Sequence, residues 1–242
     1  MRRIHRVPLP AGAMAYLDRR RVVTAGAANV EQAWKSARQT KALATVVHTL
    51  QSMAGARERC MYCVDSHGSD VEHFWPKAGY PQRAFEWPNL LLCCTECGRL
   101  KGDRFPLLPN GQAELIDPSA EDPWAHLDFD PDTGNLTARY DIASASPSAR
   151  GVVTVKLLQL DRREAVTEGY RRTHRRLVAC VHQALAVAGA INAAQLASDL
   201  LHADDHGLMG WCFGPIGAKS HPFVELQLRD PDAWATCVAA AA

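Results

Sequence analysis

Apolar positions along this chain fall into three regimes. From Asn29 to about Ala54 they follow helical spacing. Leu43, Val46, Val47, Leu50, Met53 and Ala54 recur at i, i+3, i+4 and i+7, which gives one apolar face suited to core packing. Asn29 with Gln32 three residues on forms a capping box that opens this helix, and Gly55 ends it. From Arg57 to Pro109 the period is lost, and tight turns, prolines and aromatics take its place. Here the order reads as a cysteine knuckle, a strand entering Glu72-His73, an aromatic loop, a strand at Leu90-Leu91-Leu92, a second knuckle and a short helix. Ala113 to Tyr140 reads as short strands around a turn at Asp132-Thr133-Gly134-Asn135, and Ser144 to Ser148 as an exposed connector. The last third returns to helix. Asp161 with Glu164 predicts a helix running to about Val187, and Asn192 with Gln195 a shorter one carrying Leu196, Leu200 and Leu201. Trp211-Cys212-Phe213, followed by Gly214 and Pro215, is expected to be ordered but irregular. These shifts divide the chain into 1–56, 57–110 and 111–242, with the last packed on the middle segment as one unit.

Composition narrows the class. At 242 residues, 47% hydrophobic and 22% charged, the chain can bury a sizeable core and matches an ordinary soluble globular protein. Its most apolar late stretch, Val178 to Ala194, holds His182 and Gln183 and is too short and polar to span a bilayer. The basic N-terminus is broken by Pro8 and Pro10 and leads into Asp18, which argues against a signal peptide. Cys93, Cys180, Cys212 and Cys237 are scattered singly among apolar neighbours, so a reducing, cytoplasmic setting is expected. The net charge of +1 decides nothing, because nucleic-acid binding depends on where charge clusters. Arginines cluster at Arg2-Arg3 with Arg6, at Arg19-Arg20-Arg21, and at Arg171-Arg172 with Arg175-Arg176. The last four share a helix face that suits phosphates or an acidic partner surface.

The chemistry lies in the middle segment. Cys60-Met61-Tyr62-Cys63 and Cys94-Thr95-Glu96-Cys97 are paired C-x2-C knuckles, the spacing that closes four thiolates on one structural zinc. Cys93 adjoins Cys94 and competes for its place, but the spacing favours Cys94. A four-thiolate zinc has no open position, so reactivity must come from beside it, and Glu72-His73 lies between the knuckles. An imidazole near its ordinary pKa of about 6.5 can deprotonate water at neutral pH, which makes His73 the candidate general base. Glu72 offers hard oxygen to a catalytic Mg²⁺ or Mn²⁺. Asp70 lies two residues earlier on the same side of a regular strand, either as a second ligand or as a turn carboxylate. Lys101 and Arg104 follow on the short helix, as contacts for a nucleic-acid backbone or as solvated charges. Trp75, Tyr80, Phe85 and Trp87 read as filling the small core around the metal.

In order, these residues resemble the HNH endonuclease family: Cys60/Cys63, Glu72-His73 with Pro76, Asn89 after Trp87-Pro88, then Cys94/Cys97 with Lys101-Gly102-Asp103-Arg104-Phe105-Pro106. The runs Glu72 to Lys77, Asn89 to Leu92 and Lys101 to Pro106 look most like the HNH subunit of Septu and retron-associated anti-phage systems. Weaker likeness extends through Leu115 to Pro118, Asp122-Pro123, and Thr154 to Arg163. The resemblance implies an α+β fold, a zinc-stapled ββα-metal module flanked by an N-terminal helix and a mainly helical C-terminal region. It implies hydrolysis of phosphodiester bonds, with DNA favoured over RNA. It further implies an ATPase partner, in some systems beside a retron reverse transcriptase, docked on the helical C-terminal third. Asn89 matches the family's middle asparagine, whose amide would brace the loop presenting His73. The chain departs from the pattern at Gly98, where the family commonly has an asparagine or histidine that ligates the catalytic metal. Water, Glu96 or Asp103 would have to fill that position, or the site is weakened. Three other readings therefore stand beside the nuclease: a weakened or inactive zinc module that binds nucleic acid or bridges partners, a restriction-type nuclease acting alone, and a purely structural zinc domain.

Overall fold

The computed structural model describes residues 1–24 and 29–241. Its contacts divide the chain into two compact units, Arg3–Asp122 and Pro123–Ala242 with Met1–Arg2. The boundaries expected near 56 and 110 both fall inside the first unit, which joins the N-terminal helices to the cysteine module.

The first unit holds α1 (Ala11–Thr24), α2 (Val30–Ala37), α3 (Lys41–Met53), β1 (Asp70–His73), β2 (Leu90–Cys93) and α4 (Thr95–Lys101). No helix is expected from the sequence before Asn29, so α1 is new. Pro10 precedes the helix, where no N–H is needed, and its carbonyl accepts from Ala13 and Met14. The single helix expected from Asn29 to Ala54 is two helices. Asn29 does cap the first, its Oδ1 accepting from the Gln32 N–H at 2.9 Å. The second is capped anew by Thr40, whose hydroxyl accepts from the Leu43 N–H at 3.3 Å. Threonine is a better cap than helix-interior residue, and the turn at 38–40 follows from that preference. Leu43, Val46 and Leu50 form the buried face as expected, and α3 lies against α1 and β2.

β1 and β2 pair antiparallel, with Asp70 opposite Cys93, Glu72 opposite Leu91 and His73 opposite Leu90. β2 is buried along its whole length, which its unalternating Leu-Leu-Leu-Cys run requires. α4 follows β2 at once, with Cys94 as its N-cap. Arg6 staples the N-terminal segment to the entrance of β2. Its guanidinium donates to the carbonyls of Trp87 (2.8 Å), Pro88 (3.0 Å) and Leu90 (3.0 Å) and to the Ser119 hydroxyl (2.7 Å).

The second unit opens with two small hairpins, β3 (Leu127–Phe129) with β4 (Leu136–Ala138), and β5 (Tyr140–Asp141) with β6 (Ser146–Pro147). The turn expected at 132–135 joins the first pair. Gly134 has φ 79°, and a β-carbon there would lie 2.2 Å from the Thr167 carbonyl oxygen, so only glycine fits. The stretch expected as a bare connector is the exposed β5–β6 hairpin. Six helices follow: α5 (Ala149–Leu158), α6 (Glu164–Ala186), α7 (Ala193–Ala203), α8 (Met209–Cys212), α9 (Phe223–Arg229) and α10 (Pro231–Ala241). Asp161 does not cap α6, which starts after Arg163 without a side-chain cap. Asn192 caps α7 as expected, accepting from Gln195. Leu196 and Leu200 turn inward from α7, whereas Leu201 is exposed. On α6, Arg171 pairs with Glu168 and Arg176 with Asp205, while Arg172 and Arg175 are exposed. Among the described residues no helix is long and apolar enough to cross a membrane.

Candidate functional site

β2 brings the two knuckles together. The Met61 N–H in the first donates to the Leu92 carbonyl at 2.9 Å, and β2 then runs directly into Cys94. The Sγ atoms of Cys60, Cys63, Cys94 and Cys97 all lie within 4.8 Å of one another, and all four residues are buried. Thiolates bound at about 2.3 Å around a tetrahedral zinc stand roughly 3.8 Å apart, and Cys63 and Cys94 are separated by 3.9 Å. Four buried thiols cannot all ionise side by side without a cation. Contact with Cys60, then Cys63 and Cys94, pushes the Cys97 thiol up, while contact with Cys60 and Cys63 pulls that of Cys94 down. The donor set, its spacing and its burial fit zinc. Cys93 lies just outside the set, 4.0 Å from the Cys60 sulfur and 3.2 Å from the Cys94 carbonyl oxygen.

Beside this centre lies a cleft of about 250 Å³, lined in part by Asp70, Glu72, His73, Lys77, Gly98 and Asp103. His73 is 4% exposed, and its Nε2 stands 3.0 Å from the Ala84 carbonyl oxygen. A carbonyl only accepts, so Nε2 carries the proton and Nδ1 the free lone pair. Burial, followed by the Lys77 ammonium, pushes the imidazole down to about 3, against the partial support of the Ala84 bond. That corrects the expectation of a histidine near 6.5: the side chain is neutral, and a weaker base than a solvated one. The Trp34 ring packs T-shaped against it, with centroids 4.3 Å apart.

Glu72 is held by an unforeseen partner. The Lys101 ammonium lies 2.7 Å from Glu72 Oε1 and 2.8 Å from the His73 carbonyl oxygen, and its side chain is fully buried. The expectation that Lys101 meets a nucleic-acid backbone is therefore corrected: its charge is spent inside the unit. Burial raises the Glu72 carboxyl above its usual range and Lys101 opposes this. Asn89 ties the intervening loop together. Its Oδ1 accepts from the Trp75 N–H (2.7 Å), and its Nδ2 donates to the carbonyls of Trp75 (3.1 Å) and Arg83 (2.9 Å). Asp70 is paired with Arg38 at 3.0 Å, and Glu96 with Arg99 at 2.8 Å. Arg104 is exposed.

No protein-family model matches the chain. Among curated proteins it is 31% identical over 77 residues to the Septu protein PtuB of Bacillus thuringiensis, covering 30% of this chain and 28% of that protein. It is 30% identical over 141 residues to the Septu protein PtuB of Bacillus mycoides (strain KBAB4), covering 46% of this chain and 45% of that protein. This chain is similar to the Septu protein PtuB. The matches span less than half the length of either PtuB, so the likeness reaches part of each molecule.

The likeness to PtuB leaves the departure at Gly98 to be judged on geometry. A β-carbon at position 98 would lie 3.7 Å from Glu72 Oε2 and 3.9 Å from Cys93 Sγ, so this position looks onto the carboxylate. Of the two side chains named as substitutes at that position, Asp103 lines the cleft and Glu96 is engaged by Arg99. Among the described residues no three carboxylates or histidines gather there as the cysteines do. Sequence reasoning also missed Glu31 and Trp34 of α2 and Arg38 at its C-cap, which line the same cleft. Their i, i+3, i+7 spacing marks one helix face, but nothing in the linear order joins that face to residues 70–73.

Proposed function

We propose that this chain is a metal-dependent endonuclease of the HNH type, a hydrolase of phosphodiester bonds serving in anti-phage defence. The observation that carries the reading is the state of His73: adjacent to a carboxylate, in a cleft beside the cysteine centre, with Nε2 spent on the Ala84 carbonyl and Nδ1 left to accept a proton. The order β1, β2, α4, with knuckles at Cys60/Cys63 and Cys94/Cys97, supports the HNH assignment, and the similarity to PtuB supports the defence role.

In this mechanism Nδ1 of His73 takes the proton of the attacking water. Its low basicity keeps it unprotonated throughout the neutral range, at a cost in driving force. Asn89 holds the loop between β1 and β2, and with it the Ala84 carbonyl side of the cleft, through the Trp75 and Arg83 backbone. Lys101 fixes one oxygen of Glu72, leaving Oε2 as the donor toward Gly98. Mg²⁺ commonly takes one or two carboxylates and keeps its remaining positions for water and phosphate, so Glu72, through Oε2, would be the residue to hold such a cation, in a cleft that Asp70 and Asp103 also line. When bound, Mg²⁺ or Mn²⁺ neutralises charge on the phosphate and the departing oxygen. The substrate is nucleic acid, with DNA favoured over RNA, and the working assembly includes an ATPase subunit, in some systems beside a retron reverse transcriptase.

A second reading is favoured by Gly98 and by the depressed His73: a zinc module that binds nucleic acid or bridges partners while cleaving slowly or not at all. A nuclease assay on plasmid DNA and total RNA separates the two. It compares wild type with His73→Ala, in Mg²⁺, Mn²⁺ or EDTA, with and without the co-expressed ATPase. Cation-dependent cleavage lost in His73→Ala supports the nuclease. Cleavage by neither protein under any condition, with nucleic acid still bound, favours the second reading.

A further inference from the structure

α2 lies outside the cysteine module, yet one of its faces forms a wall of the cleft. Glu31, Trp34 and Arg38 line it together with Asp70, Glu72 and His73. Trp34 anchors that face, its ring edge-on to His73 at 4.3 Å and tilted on Phe85 at 5.3 Å. Arg38 is the C-cap of α2, four residues after Trp34, so the same anchor sets its position at the cleft. Three cations line or border this space, and they differ in availability. Lys101 is fully buried on Glu72, and Lys77 is 25% exposed and paired with Glu31 at 3.2 Å. Arg38 is 56% exposed and pairs with Asp70, itself 51% exposed, through a single 3.0 Å contact. An exposed pair of this kind is weak and screened by salt. A phosphodiester offers a guanidinium two oxygens in a plane, which suits its fork better than one carboxylate oxygen does.

We propose that α2 is the substrate-gripping edge of the cleft and that Arg38 binds the nucleic-acid backbone, exchanging the Asp70 carboxylate for a phosphate. The inference rests on the nuclease reading and adds to it a contact from outside the motif. Arg38 takes the part that the sequence assigned to Lys101.

Binding is measured on the His73→Ala chain, so that no turnover intervenes, by fluorescence anisotropy with labelled single-stranded and duplex DNA across a salt series. In that background Arg38→Gln should weaken binding about fivefold and lower the slope against salt by about one phosphate contact. Arg38→Lys should recover part of the loss. Lys35→Gln, an exposed cation on the same helix but off the cleft, should bind like the parent. Arg38 is exposed, so melting curves of all variants should coincide. A parent that binds DNA and an Arg38→Gln variant with the same affinity and salt slope would overturn the Arg38 assignment and leave the nuclease reading standing. Absence of DNA binding in every chain, the parent included, would overturn both.

Discussion

Replacing Lys101 by methionine removes a charge and keeps most of the volume, so it isolates what the ammonium does. That ammonium is fully buried and lies within 2.7 Å of Glu72 Oε1 and 2.8 Å of the His73 carbonyl oxygen. Without it the Glu72 carboxylate, 18% exposed, has no cation on that oxygen. Breaking one side of a buried pair costs about 3–5 kcal/mol, and the residual exposure of Glu72 places the expected loss near about 3 kcal/mol. The loss depends on pH in a definite direction. Burial already holds the Glu72 carboxyl above its usual range, and Lys101 opposes that rise, so the variant raises it further. A carboxyl raised on folding destabilises the folded state wherever it is ionised in both states, which is above its folded pKa. The penalty shrinks as the pH falls through the folded value toward the unfolded one. The destabilisation of Lys101→Met should therefore be largest near pH 8 and smaller near pH 5. Because the chain has two compact units, the readout should be local: hydrogen exchange of peptides from β2 and α4 at both pH values. The double variant Lys101→Met/Glu72→Gln should recover most of the loss. A loss below about 1 kcal/mol, or one equal at both pH values, would refute the assignment of Lys101 as the counter-charge of Glu72.

Three further outcomes follow from the same geometry. Elemental analysis should find one zinc per wild-type chain; Cys94→Ser should lose it, whereas Cys93→Ser should keep it, because Cys93 lies outside the four-sulfur set. Asn89→Ala strands one buried N–H and two carbonyls, and at about 1 kcal/mol each should cost about 3 kcal/mol of local stability by hydrogen exchange. His73 is held at about 3 in the folded chain against about 6.5 unfolded, so its contribution is complete above pH 6.5 and declines as the pH falls. About 2 kcal/mol should be gone by pH 5, and exchange of the β1 peptide in His73→Gln should lack that share of the acid sensitivity.

What could be read from the chain was local or carried by spacing. Paired C-x2-C motifs encode a coordination geometry that needs no knowledge of distant contacts, and the four sulfurs do converge. Asn29 and Asn192 cap helices because a side-chain oxygen two or three residues from an N–H acts within its own turn. The same local logic failed at Asp161, where the helix starts two residues later, and at Thr40, a cap hidden inside an apolar period. Tertiary facts stayed out of reach. The burial of Lys101, the low basicity of His73 and the approach of α2 all depend on residues tens of positions away.

Gly98 leaves one position at which a side chain could be added beside Glu72. The space above its α-carbon holds a β-carbon at ordinary contact distances, and the residue lies in regular helix directly after the last cysteine. A side chain at position 98 therefore starts without a clash at its β-carbon, and it would start beside Glu72 Oε2. In the proposed nuclease, that would make strength a heritable setting separate from the fold.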